Sequence, residues 1–435
     1  MEESDVIIIG AGAAGLMAAR ILSKAGKKIT ILEARNRSGG RINTLEDNTF
    51  SVTAETGAEF IHGDLPVTIG LLKEAGIKFH TIEGEIWRQE AGSLKKEEDF
   101  VEGGELLSER LKELKQDMTI ADFLELYFSE EKYASLRNSV KGFVEGYDAA
   151  DTARASAFAL REEWSADDNK DQYRPNGGYD QLIRFLENDC KQTGCTIHLS
   201  AVVKEIRWHP GSVEIVTDKH TCYRSKKVII TLPLGVLQAA PESKGAISFN
   251  PGLPEKTKAV QSMGFGSVIK ILLEFRDAFW REKSSEKSSG KNLKNMGWLF
   301  SAADIPTWWT QLPEKSSLLT GWLAGPRAKA IKDMDDKQIL SKSLQSLSEI
   351  FHLPVEELSN NLLSWRIINW SADPFTLGAY AYTTLDTHVA RKIVSEPVSN
   401  TLFFAGEALY EGPEMGTVEG ALASGEDVAK EILKW

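Results

Sequence analysis

Cysteine is scarce: Cys190, Cys195 and Cys222 are the three in 435 residues. So odd and sparse a set, without metal-ligand spacing, supplies no disulfide framework and fits a reducing compartment. Positive charge is also short. Lys and Arg number 51 against 63 Asp and Glu, so 51 − 63 = −12, a balance that disfavours indiscriminate nucleic-acid binding and mildly favours cationic ligands. No uninterrupted apolar run reaches the roughly 20 residues of a membrane-spanning helix. A glycine motif begins at residue 10, which leaves no room ahead of it for a signal peptide. The last residue, Trp435, directly follows a helical stretch from Gly420 to Leu433. Together these absences predict a soluble, cytoplasmic protein with neither membrane nor nucleic acid as partner. A length of 435 residues exceeds one compact core and predicts two domains.

What is present begins with Val6-Ile7-Ile8-Ile9, which runs into Gly10-Ala11-Gly12-Ala13-Ala14-Gly15; a second apolar run, Ile29-Thr30-Ile31-Leu32, stops at Glu33. Strand, glycine turn, helix, strand and acid in this order predict a dinucleotide-binding βαβ unit. Gly10 permits the turn, Gly12 lets backbone approach a pyrophosphate, and Gly15 lets helix and strand pack closely. The helix start, with Ala13 and Ala14, turns N–H groups and a positive dipole end toward phosphates. Glu33 follows the last glycine by 33 − 15 = 18 residues, where it can accept from ribose hydroxyls and would repel the 2′-phosphate of NADP. Next come Ala34 and Arg35-Asn36-Arg37-Ser38-Gly39-Gly40-Arg41, three cations and a glycine pair suited to further phosphate oxygens.

This segment resembles the flavin-containing amine oxidases, which read Glu-Ala-Arg-x-Arg-x-Gly-Gly-Arg after the second strand, and the likeness recurs along nearly the whole chain. It implies an α/β fold: a Rossmann-like FAD-binding domain with an interleaved α+β substrate domain, as in the amine oxidase and p-hydroxybenzoate hydroxylase architecture. Strand-rich sequence over Thr196–Leu237 and the buried run Thr401–Glu407 fit the first domain, while a mostly helical region (about 83–190) and a Trp-rich mixed region (about 271–397) fit the second. The expected division is 1–82, 192–270 and 398–435 for FAD, and 83–191 and 271–397 for substrate. Residues 95–117, dense in both charge signs, predict a solvated helix face, and 281–294 a mobile loop. Pro175-Asn176-Gly177-Gly178-Tyr179 predicts a turn into a helix that buries Leu182, Phe185 and Leu186.

Lys270 stands alone in the apolar run Val268-Ile269-Lys270-Ile271-Leu272-Leu273. A buried lysine is rare unless paired or functional, and its bland alternative is a packed stem with the head in water. The resemblance makes it the lysine that holds a water against flavin N5. Trp370-Ser371-Ala372-Asp373-Pro374 and Gly378-Ala379-Tyr380-Ala381-Tyr382 are similar to the corresponding segments of polyamine oxidases and histone lysine demethylases. That likeness puts Trp370 near the isoalloxazine and Tyr380 beside the substrate amine, where an electron-rich ring can hold it. Ala379 stands where monoamine oxidases carry a cysteine bonded to the flavin, which implies non-covalent FAD. Thr417 stands where they carry a second tyrosine, so the resemblance leans to the polyamine oxidase branch, with Thr417 also a substrate contact.

By the same resemblance Gly57, Ala58, Glu59 and Phe60 contact the cofactor, Val203 the adenine, and Gly406, Glu407, Gly416, Thr417 and Val418 the ribityl and flavin ends. His62 would face the substrate and bind or deprotonate an amine, and Glu59 would touch the flavin or serve as an anion for the substrate. Glu162, Glu163, Asp167 and Asp168 suit either a cation guide or a solvated surface. The implied reaction takes a primary or secondary amine to an imine, hydrolysed to aldehyde plus amine or ammonia, with O2 reduced to hydrogen peroxide. Two alternatives stand on the same fold, an L-amino-acid oxidase using Arg161, Arg327 or Arg366 for the carboxylate, and a flavin desaturase. A third, of another class, is a non-catalytic flavin-binding partner module. Oligomeric state is left open by the sequence.

Overall fold

The computed structural model describes residues 3–45, 48–90, 92–97, 103–166, 171–281 and 292–434. The first strand, Glu3–Ile9, carries four consecutive buried residues at its end, and the next, Ile29–Leu32, is buried throughout. A strand buried on both faces belongs in the middle of a parallel sheet. Here the first strand pairs in parallel with Ile29–Leu32 on one side and with Cys222–Ile230 on the other. Thr196–His198 extends the parallel sheet beyond Ile29–Leu32, and Leu402–Phe404 pairs in parallel with Cys222–Ile230. An antiparallel meander of Val203–His209 and Ser212–Thr217 completes most of an eight-stranded sheet.

Three helices, Ala13–Lys24, Asp180–Gln192 and Val418–Leu433, cover this sheet with one apolar core that includes Leu16, Leu182, Leu186 and Leu422. Close approach is set by small residues: a Cβ on Gly425 would lie 2.2 Å from the Ala14 carbonyl oxygen. Cys190 donates from its thiol to the Leu16 carbonyl, so two of the expected blocks meet in this core.

A second, seven-stranded sheet runs Leu362–Asn369, Val268–Phe275, Leu318–Ala324, Thr307–Trp309, Met296–Phe300, Glu85–Glu90 and Ser93–Glu97. Val268–Phe275 is buried at every position, flanked on both sides by antiparallel partners. The helix Asp336–Phe351 packs on this sheet through Ile339, Leu347 and Phe351. A separate helical cluster, Gly104–Glu113 through Ala157–Ala166, forms its own core around Leu107, Phe123 and Val140.

The expected division cuts across two elements. Asp180–Gln192 buries its apolar face against the first sheet's helices rather than with the substrate region, and Val268–Phe275 continues unbroken through 270 as a central strand of the second sheet. The region expected to be mostly helical opens with a hairpin, Glu85–Glu90 and Ser93–Glu97. The charged stretch 95–117 therefore begins as strand, and its helix, Gly104–Glu113, is amphipathic, with Leu107 and Leu111 buried. Residues 98–102 of that stretch, residues 282–291 of the expected loop, and Asp167 and Asp168 lie outside the described residues.

Candidate functional site

Between the two sheets and the helical cluster lies a cavity of about 1610 Å³. Single-ligand pockets usually enclose roughly 300–1,000 Å³, so this one has room for an extended dinucleotide and a substrate together. The residues singled out above as catalytic, cofactor or substrate contacts line it, apart from Gly15, Arg37 and the alternative carboxylate partners Arg161 and Arg366. Gly15 has a packing role, since a Cβ there would lie 2.0 Å from the Gly10 carbonyl oxygen.

At one end the Ala13–Lys24 helix begins at Gly12 with no side-chain cap, leaving its first N–H groups for a ligand. Gly10 takes φ +107°, and a Cβ on Gly12 would meet nothing within 4 Å, so the space over the turn is open to a phosphate. Glu33 is buried (4% exposed), and its carboxylate accepts from the Ala11 and Arg35 N–H groups, each at 2.8 Å. A carboxylate has about four acceptor positions, so two remain for ribose hydroxyls. Gly39 donates its N–H to the Ala11 carbonyl at 2.8 Å, which fixes the second glycine pair against the first turn. Val203 opens its strand beside Ala201 and Val202 in the same wall. These features fit a flavin adenine dinucleotide.

The three arginines of the basic stretch divide the work differently from the sequence expectation. Arg37 donates to the carbonyls of Ser38, Gly40 and Ile42 and so braces its own loop. Arg35 pairs with Asp373 and donates to Thr376, and Arg41 pairs with Glu407 at 2.7 Å. Glu407 also accepts from the Ala381 N–H, so it ties Arg41 to the Tyr380 segment. A Cβ on Gly57 would lie 1.7 Å from the Arg41 carbonyl oxygen, which explains the glycine there.

Lys270 is 1% exposed. Its ammonium donates to Glu59 Oε2 at 2.6 Å and to the Gly57 carbonyl at 3.2 Å, leaving one of three donors for a group in the cavity. The other Glu59 oxygen accepts from Arg174 at 2.7 Å and from the Trp309 indole at 3.1 Å. Burial alone pushes the Glu59 carboxyl up, but the Lys270 and Arg174 charges and the bonds from Lys270 and Trp309 outweigh it and hold the group below the usual carboxylate range. Glu59 is therefore the counter-ion of two buried cations, and it lines the main cavity as well.

Trp370 is buried and donates its indole N–H to the Thr56 carbonyl at 2.9 Å, which orients the ring over the glycine segment 56–58. Tyr380 is half-buried, and its phenol donates to the Tyr147 carbonyl. Burial, then the Asp148 and Glu163 charges, push the Tyr380 phenol up, so it stays protonated. His62 accepts or donates at Nδ1 with the Tyr147 hydroxyl at 3.0 Å. Burial pushes its imidazole down to about 4, which weakens it as a base and leaves the neutral ring able to hydrogen-bond a group in the cavity it lines. Thr417 caps the Val418–Leu433 helix through its hydroxyl, and its N–H goes to the Glu414 carbonyl at 3.2 Å, not to the cavity.

Sequence reasoning missed the aromatic wall. Phe60, Trp298, Trp309 and Trp322 form a chain with ring centroids 5.2–5.8 Å apart, and Lys270 Nζ lies 5.5 Å from the centre of one Trp309 ring. It also missed Tyr147, which touches both His62 and Tyr380. Of the arginines weighed for a carboxylate, Arg327 and Arg366 are exposed, and half-buried Arg161 lies over Phe158 and donates to the Leu114 carbonyl. No cysteine lines the cavity, and no group of His, Cys, Asp and Glu able to hold a metal occurs, among the described residues. Nor is any described helix long and apolar enough to cross a membrane.

The family model for flavin containing amine oxidoreductases matches residues 13–433. The lysine-specific histone demethylase 2 of Homo sapiens is 32% identical over 98% of this chain and 53% of its own length. The polyamine oxidase 4 of Oryza sativa subsp. japonica is 28% identical over 99% of this chain and 88% of its own. The chain thus spans about half the length of the human demethylase it matches. Putrescine oxidase, solved bound to putrescine, shares the fold with a TM-score of 0.80, 20% identity and full coverage of both chains.

Proposed function

The chain belongs to the flavin-containing amine oxidoreductases, and from that premise we propose that it oxidises a small primary or secondary amine to an imine, which water hydrolyses to an aldehyde and an amine or ammonia. O2 is the acceptor in this reading, hydrogen peroxide the second product, and the cytoplasm the compartment. The observation that carries it is Lys270, buried with a donor to spare in the wall of the cavity that Trp370 and Tyr380 also line.

Non-covalently held FAD supplies the acceptor for a hydride equivalent taken from the carbon next to nitrogen. Lys270 holds a water at its remaining donor. Glu59 offsets the Lys270 charge, so the largely apolar, aromatic wall disfavours the ammonium form of a bound amine and frees the lone pair that hydride loss requires. Tyr380 and the neighbouring aromatic rings exclude water and offer the amine a π face. Half-buried Glu163 on the same cavity draws a cationic amine in before it loses its proton. A peroxide assay with putrescine, spermidine, tyramine and a set of amino acids tests the reading: peroxide with amines supports it, and peroxide with amino acids alone transfers the chain to the amino-acid oxidases.

A second reading, demethylation of a methylated lysine in a peptide, rests on the 32% identity to the human demethylase. Such a side chain is itself a secondary or tertiary amine, and a methyl-lysine peptide in the same assay decides it.

A further inference from the structure

Glu59 lines a second chamber of about 220 Å³ as well as the main cavity. The inner surface of this chamber is Glu55, Glu59, Arg174 and Gln311, all buried, and its outer rim is Thr53, Asn176, Gly177 and Glu314, all exposed. It therefore reaches the Lys270 ion pair from solvent without passing through the main cavity. Three polar atoms of its lining, Glu55 Oε2, Arg174 Nε and His80 Nε2, are buried with no hydrogen-bond partner among the described residues. Glu55 is 5% exposed and Arg174 9%. Buried polar atoms without partners are costly, and water is the usual remedy where the space is polar and roomy enough. At roughly 30 Å³ for each water, this space has room for several.

We propose that the chamber is a water-filled proton route, in which Glu55 and Glu59 pass protons between solvent at its rim and the Lys270 ammonium. When Lys270 Nζ releases a proton into the main cavity, protonated Glu55 gives its proton through chamber water to the Glu59 carboxylate, which hands one on from Oε2 to Nζ and is again a carboxylate. Water at the rim then reprotonates Glu55. One proton crosses, only O–H and N–H bonds form and break, and no electron moves. The route deepens the amine-oxidase reading, because amine oxidation and acceptor reduction each need protons moved at the site Lys270 serves.

The surroundings of Glu55 suit a relay. Its Oε1 accepts from the Tyr179 N–H at 2.6 Å and the Thr44 hydroxyl at 2.9 Å, which leaves Oε2 for water. The charged and titratable groups around it are Lys270 and Glu59 on one side, the Tyr179 phenol with Glu419 behind it, and Arg174, His80 and Glu314 across the chamber. Burial pushes Glu55 up to about 7, against the Tyr179 bond, the Lys270 charge and the Thr44 bond, with Glu59 adding to the rise. Near neutral pH it is populated both with and without its proton, as a relay must be.

The test uses the FAD-loaded protein with Glu55→Gln and, at the exposed rim, Thr53→Trp. Infrared difference titration should show a protonated-carboxyl band that disappears near neutral pH in the wild type and is missing from E55Q. A high-resolution crystal structure should show water on Glu55 Oε2 and Arg174 Nε. Both variants should slow the proton-dependent limb of flavin reoxidation by about 10²-fold, the low side of what positioned proton transfer contributes, with unchanged amine affinity. A dry chamber, a wild type with no carboxyl titrating near neutrality, or wild-type pH profiles in both variants would overturn the proposal. The infrared and crystallographic readouts need no amine, so they decide the route even if amine turnover fails, a failure that counts against the proposed function alone.

Discussion

Lys270 and Glu59 form a 2.6 Å ion pair with side chains only 1% and 4% exposed. Desolvating two charges costs several kcal/mol each unless hydrogen bonds complete the geometry. Here the Gly57 carbonyl, the Arg174 guanidinium and the Trp309 indole complete it. The pair fixes where the ammonium points, and the cavity chemistry follows from that direction.

Lys270→Met keeps the volume and removes the charge. FAD should remain bound, because none of the groups placed around its phosphates or ribose is Lys270, while flavin reduction, reoxidation or both slow by about 10²-fold or more. Stopped-flow measurement of the two half-reactions checks this, and unchanged rates in both would remove Lys270 from the mechanism.

Removing Glu59 has a different consequence. Glu59→Ala leaves Lys270 and Arg174 as buried like charges without their shared carboxylate, and breaking a buried pair costs about 3–5 kcal/mol. Chemical denaturation should show that loss. A cost below about 1 kcal/mol would mean that solvent reaches the pair.

Two glycines separate folding from cofactor affinity. A Cβ on Gly12 meets open space, so Gly12→Val should leave the apoprotein's Tm nearly unchanged and weaken FAD binding at the phosphates. Gly57→Ala drives a methyl group to 1.7 Å from the Arg41 carbonyl, so the apoprotein itself should lose about 1–3 kcal/mol. Thermal melts with and without FAD distinguish the two patterns.

The pH dependence of stability carries the mark of His62. Its folded value of about 4 lies below the ordinary 6.5, so the unfolded chain binds a proton that the fold resists. The contribution is complete above about pH 6.5 and is lost as pH falls from there through about 4. His62→Gln should flatten the decline in urea midpoint between neutral pH and about pH 5, and an equal decline in both proteins would contradict the assignment.

Much of the site was legible because it is written in short, local patterns. The turn Gly10–Gly15, the acid Glu33 and the lone cation of Val268–Phe275 each carry their physical reason within a few residues. What escaped reading depends on contacts distant in sequence. Glu59 and Lys270 are 211 positions apart, and the aromatic wall gathers Phe60, Trp298, Trp309 and Trp322 from separate elements. Tyr147 follows the helix Ala134–Gly146 and looked like any exposed tyrosine. The helix Asp180–Gln192 joins the first sheet's core, which the sequence does not reveal because its apolar stripe is legible and its partner is not. Glu59 itself is legible as an acid in a glycine segment, but its pairing with Lys270 and Arg174 is not.

Anaerobic titration of the purified, FAD-loaded protein with a panel of amines, followed by the flavin's visible absorbance, tests the central claim most directly. The account predicts that at least one small amine bleaches the flavin rapidly and that Lys270→Met blunts the bleaching. A yellow protein whose spectrum no amine alters would contradict it.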